Sequence, residues 1–304
     1  MEGENVELDT TRGTVAALGS FDGLHIGHMA VLNAAKGLAE ETGAVPVICT
    51  FKEHPLKVLR GEAPPALMEG EVKEEVYATT GMQVWHMDFA TIKDMEPEEF
   101  FRKVLLEELN VKGVCCGFNF NFGARGAGTP DLLEQLCREA GIRFYAAPAM
   151  EWKGEPVSST RIRAAMEEGD LDLANEMLGR PFRFRERVEK GYGRGHTWGI
   201  PTINQMFPEE LVVPKFGVYF SVCEVNGKNY YGATNIGLRP TVDDGKAPSS
   251  ETFILDFSGD LYGEHVDISL LKFLRPEQKF PSFDALKAQI MKDIEQVRTL
   301  VEQQ

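Results

Sequence analysis

Apolar positions follow two different rhythms along this chain. In the first, short apolar runs at Val15–Leu18, Val45–Phe51, Val84–Met87, Val111–Cys116 and Arg143–Ala147 read as buried strands. Stretches of helical period separate them. Val31, Leu32, Ala35, Leu38 and Ala39 fall on one face of a 3.6-residue period, and Glu71–Thr79 reads as another helix. Pro97–Leu109 sets Phe100, Phe101, Val104, Leu105 and Leu109 on an apolar face behind a proline in the first turn. Thr129 caps a helix that opens with Pro130 and Asp131 and ends at Gly141. Strand and helix alternating at these lengths predict a Rossmann-like α/β fold: an open, mostly parallel sheet with right-handed crossovers. Ligands bind such sheets at the carboxyl ends of the strands.

The helical pattern persists through Leu171–Leu178, stops at Gly179-Arg180-Pro181-Phe182, and gives way to short β-type runs. These are Arg185–Lys190, Val212–Val213, Gly217–Val225, Tyr230–Thr234, Glu251–Phe257 and Val266–Phe273, with Asn226-Gly227 as a hairpin turn. Many short strands with regular turns predict a small antiparallel β-barrel. A last helix, Phe283–Val301, carries Leu286, Ile290, Ile294, Val297 and Val301 on one stripe and should pack against it. The change of rhythm places a boundary near residue 182, giving domains 1–182 and 183–304.

The 304 residues suffice for two cores, and the net charge of −15 argues against a broad nucleic-acid-binding surface while leaving room for local basic pockets. Five cysteines, Cys49, Cys115, Cys116, Cys137 and Cys223, form no C-x-x-C pair and read as reduced, buried thiols with no zinc site. The acidic Met-Glu-Gly-Glu-Asn start lacks a signal-peptide pattern, and no run approaches membrane-spanning length. A cytoplasmic protein without nucleic-acid or membrane partners is expected; oligomeric state is not readable.

Candidate chemistry gathers in loops. Leu-Gly-Ser-Phe-Asp-Gly-Leu-His-Ile-Gly-His, from Leu18 to His28, joins a strand to a helix N-terminus. Free backbone N–H groups and the helix dipole there favour an anion, and His25 and His28 add donors. A tight turn with incidental histidines is the plainer reading of H-x-G-H alone. Gly117-Phe118-Asn119-Phe120-Asn121-Phe122-Gly123 fits either a core strand or a substrate-lining loop. Ser158-Ser159-Thr160-Arg161-Ile162-Arg163 is a helix N-cap that can also offer hydroxyls, N–H groups and guanidinium groups to a polyphosphate. Farther on, Gly191-Tyr192-Gly193-Arg194-Gly195 is a potential nest for phosphate, followed by Gly199-Ile200-Pro201-Thr202-Ile203-Asn204. Glu251, taken alone, reads as a solvated strand carboxylate.

Taken in order, these stretches resemble the bacterial bifunctional riboflavin kinase/FMN adenylyltransferases (FAD synthetases) over nearly the whole chain. The matching motifs are G-x-F-D-G-x-H-x-G-H, T-F-x-x-H-P at Thr50–Pro55, G-x-[ND]-F-x-F-G, S-S-T-x-I-R, G-x-P-T-x-N, the Glu251 strand with Gly259–Gly263, Asn235–Thr241, and Leu274–Phe280. Trp198, where the family more often has Leu, and Ile203, where it often has Ala, depart from the pattern. The resemblance implies an N-terminal domain that adenylylates FMN with ATP, giving FAD and pyrophosphate, and a C-terminal domain that phosphorylates riboflavin. It implies ATP contacts for adenylyl transfer at Gly19, Phe21, Asp22, His25, His28, Ser159, Thr160 and Arg163, with His28 and Arg163 catalytic. Flavin contacts are implied at Asn119, Phe120 and Phe122. For the kinase it implies ATP contacts at Gly191, Gly193, Arg194, Gly195, Thr202 and Asn204, Mg²⁺ on Thr202 and Asn204, and Glu251 as the catalytic proton acceptor. Two kinds of rival stand beside it. One is another enzyme, either a family member keeping one activity or a same-fold cytidylyltransferase or pantetheine-phosphate adenylyltransferase. The other is a non-catalytic flavin-binding regulator.

Overall fold

A computed structural model describes residues 8–190, 200–240 and 246–303. The five apolar runs of the first half are strands: β1 (Thr14–Leu18), β2 (Val45–Phe51), β3 (Gln83–Met87), β4 (Val111–Gly117) and β5 (Arg143–Ala147). They form one parallel sheet in the order β3-β2-β1-β4-β5. β1 is buried along its whole length, as a central parallel strand covered on both faces must be. The intervening helices are α1 (Ile26–Thr42), α2 (Pro55–Arg60), α3 (Gly70–Ala78), α4 (Phe89–Ile92), α5 (Pro97–Phe100) and α6 (Pro130–Glu139). On one face Leu38 of α1 packs so closely on Gly113 that a Cβ there would overlap it. On the other, Ala16, Leu18, Val47, Cys49, Val114 and Cys116 meet Val104, Leu105, Leu133 and Cys137. All five cysteines are buried, and burial pushes the thiols of Cys115, Cys116 and Cys137 up to about 12.

The Pro97–Leu109 helix forms, but only its first turn is α. From Phe101 to Glu108 it is a π-helix. The wider turn suits the apolar spacing: Phe100, Val104/Leu105 and Leu109 recur every four to five residues, and all are buried. A short hairpin, β6 (Glu151–Trp152) and β7 (Glu155–Pro156), turns through Lys153 and Gly154, both at positive φ.

α7 (Ser159–Glu168) and α8 (Leu171–Leu178) precede the antiparallel sheet. Its strands are β8 (Phe182–Arg187), β9 (Ile203–Met206), β10 (Gly217–Val225), β11 (Lys228–Pro240), β12 (Lys246–Ile254) and β13 (His265–Pro276), in the order β8-β13-β10-β11-β12-β9. A bridge between Glu189 and Asn204 joins the two ends, and the buried Gln205 amide donates to Glu186 O and Val266 O across the gap. The sheet curls into a barrel. Its interior holds Phe182, Phe184, Ile268 and Leu270 beside a hydroxyl ladder in which Thr234 Oγ1 bonds both Ser221 Oγ and Thr252 Oγ1. On the outer face, Phe220, Leu255, Tyr231, Ala233 and Phe253 pack against Val297, Leu300 and Val301 of α9 (Phe283–Glu302). Asn226 and Gly227 make the expected hairpin with positive φ at both positions.

Some expectations fail in detail: the run expected at Glu251–Phe257 is the strand Lys246–Ile254, and that at Tyr230–Thr234 extends over Lys228–Pro240. Val212–Val213 forms no strand; the chain there is held by a single parallel bridge between Leu211 and Ala66. The run expected at Arg185–Lys190 begins at Phe182, because Phe182 and Phe184 are the side chains that fill the barrel.

Contacts divide the chain into two units, Met1–Pro64 with Lys73–Ser158, and Pro65–Val72 with Ser159–Gln304. α7 and α8 thus group with the barrel. Asn175 of α8 donates to Leu270 O and accepts from Phe182 N.

Candidate functional site

The parallel sheet changes winding direction between β1 and β4, which is where such sheets open a crevice for ligands. Both glycine-bearing loops of the first half leave the sheet there. After β1, Gly19 N bonds Cys49 O and Thr50 Oγ1 bonds Ser20 O, so the loop is tied to β2. Gly19 packs under the Phe21 ring, where a Cβ would overlap it. The buried Phe21 ring meets His28 edge-on at 5.3 Å.

His25 is the N-cap of α1. Its Nδ1 accepts from the backbone N–H of His28 at 3.2 Å. A neutral imidazole accepting at Nδ1 carries its proton on Nε2, so His25 presents a donor from the same ring that caps the helix. The rings of His25 and His28 stack at 3.5 Å between centroids, placing both at the positive end of a 17-residue helix. No acidic side chain lies in the first turn of α1 to oppose an anion.

The loop after β4 turns at once, Phe120 N bonding Gly117 O, and Asn121 Nδ2 bonds Asn119 O. Phe122 is a core side chain: it is buried, its backbone pairs with Gly128, and its ring lies 5.6 Å from Phe100. Phe120 stacks on Phe122 and packs against the same core. The ring this loop exposes is Phe118, at 53%. The loop is thus not a core strand: Phe122 is buried, Phe120 partly buried and Phe118 exposed.

Lys73 of α3 also reaches this end of the sheet, donating to Phe51 O at 3.4 Å. Burial lowers its pKa, and Glu74 and Asp22 oppose that shift. A lone lysine within an amphipathic helix gives no signal in the sequence.

Ser159, Thr160 and Arg163 belong to the second unit, at the start of α7. Arg163 Nε donates to Pro65 O at 2.6 Å.

On the outer face of the barrel, strand register makes a row. Asn204 of β9 stands opposite Glu251 of β12, and Glu251 opposite Asn235 of β11. Thr202 lies two residues before Asn204, which donates to Thr202 O at 3.4 Å. Glu251 shares its face with Phe253, so α9 walls one side of the row. Glu277 adds a second carboxylate, seated against Gly237 where any Cβ would overlap it. Gly191, Gly193, Arg194, Gly195 and Trp198 lie outside the described residues. Hydroxyl and amide oxygens at Thr202 and Asn204 are hard donors of the kind Mg²⁺ takes.

The FAD synthetase family profile matches residues 7–161 and the riboflavin kinase profile residues 178–301. The bifunctional riboflavin kinase/FMN adenylyltransferase of Listeria monocytogenes is 36% identical over 290 residues, covering 93% of this chain and 91% of that protein. Those of Bacillus subtilis and Escherichia coli are 34% and 33% identical, each covering at least 92% of this chain and 90% of the relative. A crystal structure described as a macrolide-efflux protein from Streptococcus pneumoniae superposes with a TM-score of 0.88, at 30% identity and 96% coverage of both chains. Among the described residues no helix is long and apolar enough to cross a membrane. With both profiles in order and full-length relatives carrying both names, the chain belongs to the bifunctional riboflavin kinase/FMN adenylyltransferase family.

Proposed function

We propose that the loops of the parallel sheet serve the adenylylation of FMN, and that the outer row of the barrel phosphorylates riboflavin, ATP being the donor in both. What supports this reading is the presence in one chain of two separate constellations suited to phosphate. One is the double-histidine N-cap at the β1 switch point, and the other is the Asn204–Glu251–Asn235 row.

In phosphorylation the ribityl 5′-hydroxyl attacks the γ-phosphorus of ATP. The new O–P bond forms, the bond to the β-phosphate oxygen breaks, and the hydroxyl proton passes to the Glu251 carboxylate. Glu251 suits the role because it is exposed on the outer face, in register between Asn204 and Asn235. Thr202 and Asn204 would hold Mg²⁺, which supplies positive charge to the transferring phosphates. Asn235 orients the carboxylate from the other side.

In adenylyl transfer an oxygen of the FMN phosphate attacks the α-phosphorus, and the α–β bridging oxygen leaves with pyrophosphate. The nucleophile is already an anion, so positioning and charge stabilisation suffice. His25 and His28, at the N-terminus of α1, stabilise the negative charge building on the phosphates. Ser159, Thr160 and Arg163, the S-S-T-x-I-R residues at the start of α7, are the further phosphate contacts that the family resemblance implies, with hydroxyls and a guanidinium suited to a polyphosphate.

Incubation with riboflavin, ATP and Mg²⁺ followed by chromatography tests the proposal. FMN and then FAD should accumulate, and supplied FMN should give FAD without riboflavin. A single product would identify a member keeping one activity, and tight flavin binding without turnover would identify a regulator.

A further inference from the structure

The loop that carries both histidines is strained. Phe21 and Leu24 have φ of 48° and 38°, a region that bulky L-residues rarely occupy. Such conformations persist only where the surroundings over-determine them. Part of the restraint is local, in the Leu24 N to Phe21 O bond and the tie from Thr50 to Ser20 O. The rest comes from α3. The fully buried Tyr77 directs its hydroxyl at Phe21 O, at 3.5 Å. One turn earlier, Lys73 donates to Phe51 O at the end of β2, and its charge acts on Asp22, the residue after Phe21. The Lys73 ammonium lies 5.8 Å from the Tyr77 ring centroid, so the two side chains brace neighbouring points, Tyr77 the loop at Phe21 and Lys73 the end of β2.

We infer that Lys73 is a positioning residue for adenylyl transfer, fixing through Asp22 and the end of β2 the strained turn that sets His25 and His28 at the head of α1. The inference rests on the adenylyl-transfer reading above. An ammonium has this effect only while charged and partly desolvated. A longer, permanently charged guanidinium can take its place, and a neutral amide cannot.

The test uses the full chain and three variants, Lys73→Gln, Lys73→Arg and Asp22→Asn, with Lys73→Gln also placed in the Asp22→Asn background. Lys73→Gln should lower kcat for FAD formation from FMN by roughly 10- to 100-fold, as misplacement of reacting groups does. The KM for ATP should stay within about threefold, since the expected loss is one of geometry at the reacting centre. Lys73→Arg should recover most of the rate. Riboflavin phosphorylation, measured in the same samples, should match wild type and so report intact folding of the remainder. In the Asp22→Asn background, Lys73→Gln should cost little more. The inference is overturned if Lys73→Gln turns over within twofold of wild type, if arginine restores nothing, or if the loss is as large without Asp22. A wild-type chain that makes no FAD overturns the adenylyl-transfer reading as well. A wild type and a Lys73→Gln variant making FAD equally well overturn only the inference.

Discussion

Glu251 and Asn204 face each other across the β12–β9 ladder, and the same Asn204 closes the barrel through its bridge to Glu189. One residue thus joins the seam of the fold to the row proposed for the kinase reaction. The arrangement explains why so short a strand as β9 sits at a fixed register: slipping it by one residue would turn Asn204 inward and bring Gln205 out of the core.

Glu251→Gln keeps the size and the hydrogen bonding of the side chain but cannot accept the proton. Riboflavin phosphorylation should fall by about 10²–10⁴-fold, the usual scale for a lost general base, with riboflavin affinity little changed. FAD formation from supplied FMN should continue at the wild-type rate. Initial rates of both reactions on one preparation check this, and retention of most kinase turnover would reduce Glu251 to a strand carboxylate.

His25 is a cap as well as a donor, and the two roles separate by substitution. Asparagine is among the best N-cap residues, so His25→Asn should leave stability within about 0.5 kcal/mol, whereas His25→Ala should cost about 1 kcal/mol. Both should slow FAD formation by roughly 10²–10³-fold, the scale of removing one donor to a developing anion. His28→Ala should slow the reaction comparably without the capping loss. Thermal melts paired with FAD assays distinguish these outcomes. A His25→Asn enzyme of normal rate would leave the ring only its capping role.

What was legible in the sequence was what burial writes into it. β2, β5, β10 and α8 occupy the residues their apolar patterns mark, and Gly179 ends α8 in a left-handed cap. β9, Ile-Asn-Gln-Met, was not legible, because its amides face both the site and the barrel interior and so break the alternation. Alternation in the Phe118–Phe122 loop shows three equivalent rings, and only the turn at Gly117 decides that Phe118 points outward while Phe122 joins the core. Lys73 was invisible for a different reason: its place depends on where α3 lies against the end of β2, a tertiary fact.

Glu69 makes stability depend on pH. Burial, with Glu186 and Glu210 nearby, raises its carboxyl from 4.5 to about 7. The folded chain therefore keeps a proton that the unfolded chain gives up, and stability should fall as pH rises from about 4.5 to 7, then level off. Discounted for partial exposure, the effect is of the order of 1–2 kcal/mol. Glu69→Gln should raise the melting temperature at pH 8 and flatten the slope between pH 5 and 7. Melts across that range check it, and an unchanged slope would mean that Glu69 titrates normally.

Cutting the chain tests where the barrel domain begins. The change of rhythm near residue 182 favours 183–304 as a folding unit, while contacts group 159–304 together with 65–72. A cut at 183 removes Phe182, which helps fill the barrel, Asn175, which donates to Leu270 O, and the bond from Lys215 N to Met166 O. It also removes Leu171, Met177 and Leu178, which are buried in α8. Burying an aliphatic side chain of that size is worth about 1.5–3 kcal/mol, so losing even part of this contact should cost the shorter fragment roughly 3 kcal/mol or more. Residues 159–304 should fold and phosphorylate riboflavin without making FAD. Residues 183–304 should unfold at clearly lower urea or populate a loosened state with weakened activity. Urea titrations of the two fragments, followed by far-UV circular dichroism and a riboflavin kinase assay, give the comparison. Equal midpoints and equal turnover would show that Phe182, α7 and α8 add nothing to the barrel's stability and that residues 183–304 suffice as a domain.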